Sequence, residues 1–134
     1  MIEQASSNER KFLRLADIEC YRISFALSNV VWNTVLLWSP LAQHTDTVGE
    51  QFIRSVDSVS ANIAEGFGRY GKKDKIKFYR IARGSLFEAL DWNEKAKIRH
   101  LISLDSYSLI FAELQRLPKA INSLIKYTNE HLTI

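Results

Sequence analysis

Glycine and proline, the residues that interrupt regular structure, are sparse in this chain of 134 residues. There are five glycines and two prolines, and three of the glycines fall together at Gly66, Gly68 and Gly71. The stretches on either side are long and unbroken, which favours long helices joined by one glycine-rich turn and a few short links. The periodicity agrees. From Asp17 to Trp38, residues Cys20, Ile23, Leu27, Val30, Val31 and Thr34 recur at three- and four-residue spacing, the pattern of one helix face. Pro40 follows as a stop signal. Thr47-Val-Gly-Glu50 has the form of a capping box, and Val48, Phe52, Val56, Val59 and Ile63 then mark the buried face of a second helix. Gly66 is placed to end that helix in the left-handed conformation.

A third helix begins near Lys72 or Asp74, with Phe78, Ile81, Ala82, Ser85, Ala89, Trp92 and Ala96 on its inner stripe out to about His100. Ser103 to Ser106 offer caps for a fourth, whose inner side carries Ile110, Leu114, Leu117, Ile121, Leu124 and Ile125. Pro118 removes a backbone donor and clashes with the preceding turn, so a kink or break is expected near Leu117. The helices are expected over about 17–38, 47–66, 72–100 and 105–129. Short connections then predict a single domain of all-α class, an up-down-up-down four-helix bundle, and the chain is long enough to build its core without disulfides or metals.

Hydrophobic residues make up 46% and charged residues 25% of the chain, as in ordinary globular proteins. The lone Cys20 excludes an intrachain disulfide and fits a reducing compartment. The opening MIEQASSNERK is polar, without the apolar core of a signal peptide. No later run approaches the roughly 20 apolar residues that span a bilayer. The expectation is a cytoplasmic protein with no membrane association.

Helices one and three carry more apolar surface than one core absorbs. On a wheel of about 100° per residue, Ile18, Tyr21, Phe25, Trp32, Val35 and Leu36 form a second, aromatic stripe on helix one. Ile76, Tyr79, Phe87 and Leu90 do so more weakly on helix three. Bands of this size mark association surfaces, so the stripe on helix one is read as a homo-oligomer interface. The alternative cover is a loop or the N-terminal tail.

Between Arg69 and Arg83 stand seven basic side chains, Arg69, Lys72, Lys73, Lys75, Lys77, Arg80 and Arg83, against one acid, Asp74. That local surplus of six, on a chain of formal net charge +3, leaves the remainder net acidic by three. Such concentration suits a localised site for a polyanion. The wheel puts Lys72, Lys73, Lys77, Arg80 and Arg83 in one sector, with only Lys75 pointing elsewhere. A helix N-terminus at the glycine turn adds free amides and a favourable dipole. Arg69, Lys72, Lys73, Lys77, Arg80 and Arg83 are therefore the candidate contacts to an RNA or DNA phosphate backbone, and Tyr70 or Tyr79 could stack on single strands. The plainer reading is a solvated helix face, against which stands the lack of interspersed acids from Lys75 until Glu88.

Gly66-Phe-Gly68-Arg-Tyr-Gly71 matches G-x-G-x-x-G literally, but that fingerprint needs a preceding strand, and here a helix precedes it. His44, His100 and His131 have no metal-ligand spacing, Cys20 reads as a small buried hydrophobe, and the E-x-x-H pairs of a di-iron bundle are missing. Asn62 and Glu65 are better read as capping the turn or pairing with a basic neighbour than as a site. No catalytic residue, metal or cofactor is expected.

Asn62 to Gly66 with Ser58 and Arg69, then Phe78, Arg80 to Ala82, Gly84 to Leu86 and Glu88, follow S-x-x-x-N-I-A-E-G-x-x-R and F-x-R-I-A-x-G-S-L-x-E. In these segments the chain resembles the bacterial four-helix-bundle family named for proteins encoded in intervening sequences of large-subunit ribosomal RNA genes. The match is specific over about Ser55 to Leu90 and weaker along helices one and four; Pro118 and the Trp32 to Trp38 segment have no counterpart in the pattern. The resemblance implies a homopentamer. It also implies kinship with the accessory variability determinant of diversity-generating retroelements, a basic pentameric barrel that partners a reverse transcriptase and binds nucleic acid. The expected function is thus non-enzymatic nucleic-acid binding, with a protein–protein adaptor, for example towards a reverse transcriptase, as the alternative. The family supplies no catalytic residues.

Overall fold

A computed structural model describes residues 14–39 and 47–133. Pro40, His44 and the opening MIEQASSNERK lie outside the described residues. Four long helices dominate: α1 (Glu19–Leu36), α2 (Val48–Phe67), α3 (Lys72–Ile98) and α4 (Leu104–His131), with a short 3-10 turn over Leu15–Asp17 before α1. Each helix packs against its neighbours in the chain, and α4 returns to α1, which gives an all-α four-helix bundle. No strand occurs among the described residues.

The one-sided helices pack as their periodicity dictates. In α2, Val48, Phe52, Val56, Val59 and Ile63 are all buried, and in α4 so are Ile110, Leu114, Leu117, Ile121 and Leu124, with Ile125 packed beside them. Ser103 caps α4, its hydroxyl accepting from the Ser106 amide at 3.1 Å. Pro118 lies inside α4 without breaking it; the burial of Leu114, Leu117 and Ile121 around it holds the helix together. Thr47 occupies the N-cap of α2 in extended conformation, but Glu50 pairs with Arg54 at 3.6 Å rather than closing a capping box.

The two-striped helices are rotated from their expected phase. In α1 the core side holds Cys20, Ser24, Leu27, Val31 and Val35; Ile23 is only half-buried and Val30 is exposed. Ile18 and Val35, expected at an oligomer interface, are core residues. Ile18 is the extended residue before the helix (φ −85°, ψ 116°), so a wheel does not apply to it. Val35 continues the line of Leu27 and Val31 towards Trp38, which stacks on Phe52 at 6.4 Å. In α3 the core takes Ile76, Tyr79, Ala82, Leu86, Ala89, Asn93 and Ala96, whereas the expected inner residues Ile81, Phe78 and Trp92 are exposed or half-buried.

The cause of that rotation lies at the turn. Gly66 does not adopt a left-handed conformation; no glycine of the described residues has positive φ. It is the last but one residue of α2 and is buried. A Cβ there would lie 2.7 Å from Tyr79 Cε1 and 2.9 Å from the Lys75 carbonyl oxygen. Gly66 therefore lets the first turns of α3 lie directly on α2, with the Tyr79 ring in the space a side chain would fill. Ala82, Ala89 and Ala96, seven residues apart on α3, continue the buried small-residue line, and the Ser58 and Ser85 hydroxyls meet across the α2–α3 seam at 2.8 Å. The left-handed residue is instead His100 (φ 58°). There the amides of His100 and Leu101 bond the carbonyls of Lys97 and Ala96 at 3.1 and 2.9 Å, a Schellman ending for α3.

Gly66→Ala improves helix propensity yet should destabilise the protein by about 1–3 kcal/mol through overpacking, measured by urea unfolding. A second expectation concerns alkaline pH. Burial pushes the Cys20 thiol up to about 12 from 9.0 and the Tyr79 hydroxyl up to about 12 from 10.0, the nearby Cys20 adding to it. Both groups stay neutral in the fold while the unfolded chain ionises, so their contribution is whole below about pH 9 and is lost as pH rises towards 12. Cys20→Ala should move the start of that decline from about pH 9 to about pH 10, followed as unfolding free energy against pH.

Candidate nucleic-acid interface

The turn between α2 and α3 spans four residues. Gly68 caps α2 with φ −76° and ψ −9°, and Gly71, extended at φ −86° and ψ 150°, is the N-cap of α3. A helix rather than a strand enters the G-x-G-x-x-G stretch, so its glycines build a helix–helix turn and not a dinucleotide cradle.

The seven cations around this turn do different work. Lys75 donates from Nζ to the Phe67 carbonyl at 2.7 Å and lies 5.4 Å from the Phe67 ring, closing the end of α2; burial lowers its pKa. Arg69 bridges Glu65 at 2.8 Å and Asp74 at 3.7 Å, with its guanidinium 4.6 Å above the Phe78 ring. It straps the turn to both helices. Lys72 donates to the Asn129 carbonyl at 3.4 Å and Arg83 to Asn122 Oδ1 at 2.8 Å, so both lean onto α4.

Lys73, Lys77 and Arg80 remain. All three are exposed on the outermost line of α3 and line an open depression together with Asp74. Lys77 lies 5.8 Å from the Phe78 ring; otherwise the three make no hydrogen bond or ion pair among the described residues. Their four- and three-residue spacing carries the cations over about 10 Å of helix. Asp74 is engaged by Arg69, which leaves the depression cationic.

Of the six residues expected to contact phosphate, the structure thus brings Lys73, Lys77 and Arg80 into one free row and ties Arg69, Lys72 and Arg83 to neighbouring elements. Tyr79 is buried against Gly66 and cannot stack on a ligand, whereas Tyr70 is exposed. Phe87, read only as part of a weak apolar stripe, stands on the same outer line two turns beyond Arg80; placing it there needed the true phase of α3. Of the other candidates, Glu65 pairs with Arg69, and Asn62 donates to the Ser58 carbonyl and hydroxyl at 2.8 and 2.9 Å. Cys20 is buried. Among the described residues no group of His, Cys, Asp or Glu is placed to hold a metal, and no helix is long and apolar enough to cross a membrane.

On α1, Phe25, Trp32 and Leu36 are each about half exposed, at 52%, 51% and 50%. They are the members of the expected stripe that lie at the surface. Tyr21 is half-buried, packed on the core and 5.7 Å from the Phe25 ring.

A family model described as 23S rRNA-intervening sequence protein matches residues 16–123. A crystal structure of a protein of unknown function from the S23 ribosomal protein family of Bacteroides thetaiotaomicron superposes with a TM-score of 0.72 at 22% sequence identity. The alignment covers 80% of this chain and 98% of that one. No curated protein matches.

The division of the cations can be read in stability. Replacing Lys73, Lys77 and Arg80 together by Ala should leave unfolding free energy within about 0.5 kcal/mol of the parent. Lys75→Ala, which uncaps α2, should cost about 1 kcal/mol.

Proposed function

The chain belongs to the 23S rRNA-intervening sequence protein family, and from that premise we propose that it is a non-enzymatic, oligomeric protein that binds RNA or DNA through phosphate contacts from α3. The observation that carries this reading is the row Lys73, Lys77 and Arg80. These are three exposed cations that the fold does not use, along the first turns of a helix, in a segment from Arg69 to Arg83 outside which the chain is net acidic. Phosphates suit such a row because each contact releases counterions and requires no further geometry. Sequence preference is then low, since phosphate contacts carry no base information.

Self-association supports the same reading. Phe25, Trp32 and Leu36 leave a half-exposed apolar band on α1, which a second copy would cover. Five copies, the number implied by the family resemblance, would repeat the cationic row in every subunit, and several weak contacts then act as one multivalent surface. The adaptor alternative uses the same row against an acidic protein, such as a reverse transcriptase.

Binding of a labelled nucleic acid against salt concentration tests the proposal. The log–log slope should lie near −0.9 per phosphate contact on duplex DNA or −0.7 on single strands, and the Lys73, Lys77, Arg80 to Ala variant should flatten it by about 2 to 3 per engaged subunit. No binding, or an unchanged slope in the variant, would sink the reading. An acidic protein retained through nuclease treatment and released by the same variant would favour the adaptor. In parallel, light scattering should give a mass near five times 15.5 kDa that collapses in Trp32→Glu.

A further inference from the structure

Gly84 sits in the interior of α3, where glycine weakens a helix relative to alanine. Nothing among the described residues requires it. Apart from its own helix backbone, a Cβ there would meet no atom of the described residues within 4 Å, and its φ is not positive. It is exposed on the line of Lys73, Lys77 and Arg80, one turn beyond Arg80. A bare stretch of helix backbone on a surface is of use to something that approaches it closely.

The neighbours indicate what approaches. Phe87, 55% exposed, follows Gly84 by three residues, and Tyr70, 84% exposed, stands in the turn just before the N-cap Gly71. The outer track therefore runs from an exposed aromatic ring, through Lys73, Lys77 and Arg80, across bare backbone, to a second exposed ring. From Lys73 to Phe87 it covers about 21 Å. Glu88 and Asp91, exposed just after Phe87, end the cationic stretch. A duplex keeps its base faces stacked inside and would use only the cations. An unpaired strand has base faces to offer, and aromatic rings beside a cationic groove are how proteins hold one.

We infer that the ligand of this track is single-stranded nucleic acid, roughly four nucleotides in length. Lys73, Lys77 and Arg80 take its phosphates, Tyr70 and Phe87 stack on bases, and Gly84 lets the strand lie against the helix. This rests on the nucleic-acid reading above and narrows it.

The test compares labelled oligothymidylate and oligouridylate of 12 nucleotides with a 12-base-pair duplex at one salt concentration, by fluorescence anisotropy on the full chain. At least one single strand should bind tenfold or more tighter than the duplex. Tyr70→Ala and Phe87→Ala should each weaken single-strand binding about fivefold or more, the lower range of a base–aromatic stack, with the salt slope unchanged. Gly84→Leu, a better helix former in open space, should fold with a raised melting temperature yet weaken single-strand binding at least fivefold. Equal or tighter duplex binding, or full affinity in the two aromatic variants, overturns the single-strand inference. The nucleic-acid reading survives that result if the Lys73, Lys77, Arg80 to Ala variant still loses the duplex. No binding of any probe overturns both.

Discussion

The contact of the Tyr79 ring with the bare backbone of Gly66 sets the phase of α3, and most of what the surface presents follows from it. With any side chain at Gly66 the first turns of α3 would be pushed from α2 by contact with both a ring and a backbone carbonyl. With none, Tyr79 turns inward, Ala82, Ala89 and Ala96 fall along the buried seam, and Lys73, Lys77 and Arg80 are turned to the opposite side. The small residues of α2 and α3 thus permit an approach close enough to fix one rotation of the helix.

That rotation sorts the charges. Cations on the flanks of α3 find partners on α4, as Lys72 does at Asn129 and Arg83 at Asn122. Those at the turn secure it, as Arg69 and Lys75 do. Exposed pairs of this kind contribute little stability each, but they hold four of seven cations in geometries that orient the turn. The three on the outer line have no such duty, and they are the part of this cationic surplus that stands open to solvent without a hydrogen bond or ion pair among the described residues.

What could be read from residues alone depended on how one-sided each helix is. In α2 and α4 the apolar residues occupy a single stripe, and every position expected inside is buried or packed on the core. In α1 and α3 two apolar stripes compete, and helical spacing does not say which one faces inward. Helical spacing alone places Val35 and Tyr79 outward for that reason. Ile18 shows a different failure, because a residue before the helix does not follow its wheel. The cation row was legible as a sector of α3, but Lys72 and Arg83 lie within reach of asparagines more than 35 residues away in the chain, a tertiary fact without a local signal. Gly66 was legible as important and misread in kind, since glycine serves both for positive φ and for close approach.

The central claim is that the outer line of α3, phased by Gly66 and Tyr79, is where this protein meets nucleic acid. Photocrosslinking to an oligouridylate carrying 4-thiouridine, followed by peptide mapping, locates the contact without reliance on any variant. The account predicts crosslinks within Tyr70 to Phe87 and none on the exposed band of Phe25, Trp32 and Leu36. Crosslinks concentrated on α1, or spread over the molecule without preference for α3, would contradict it.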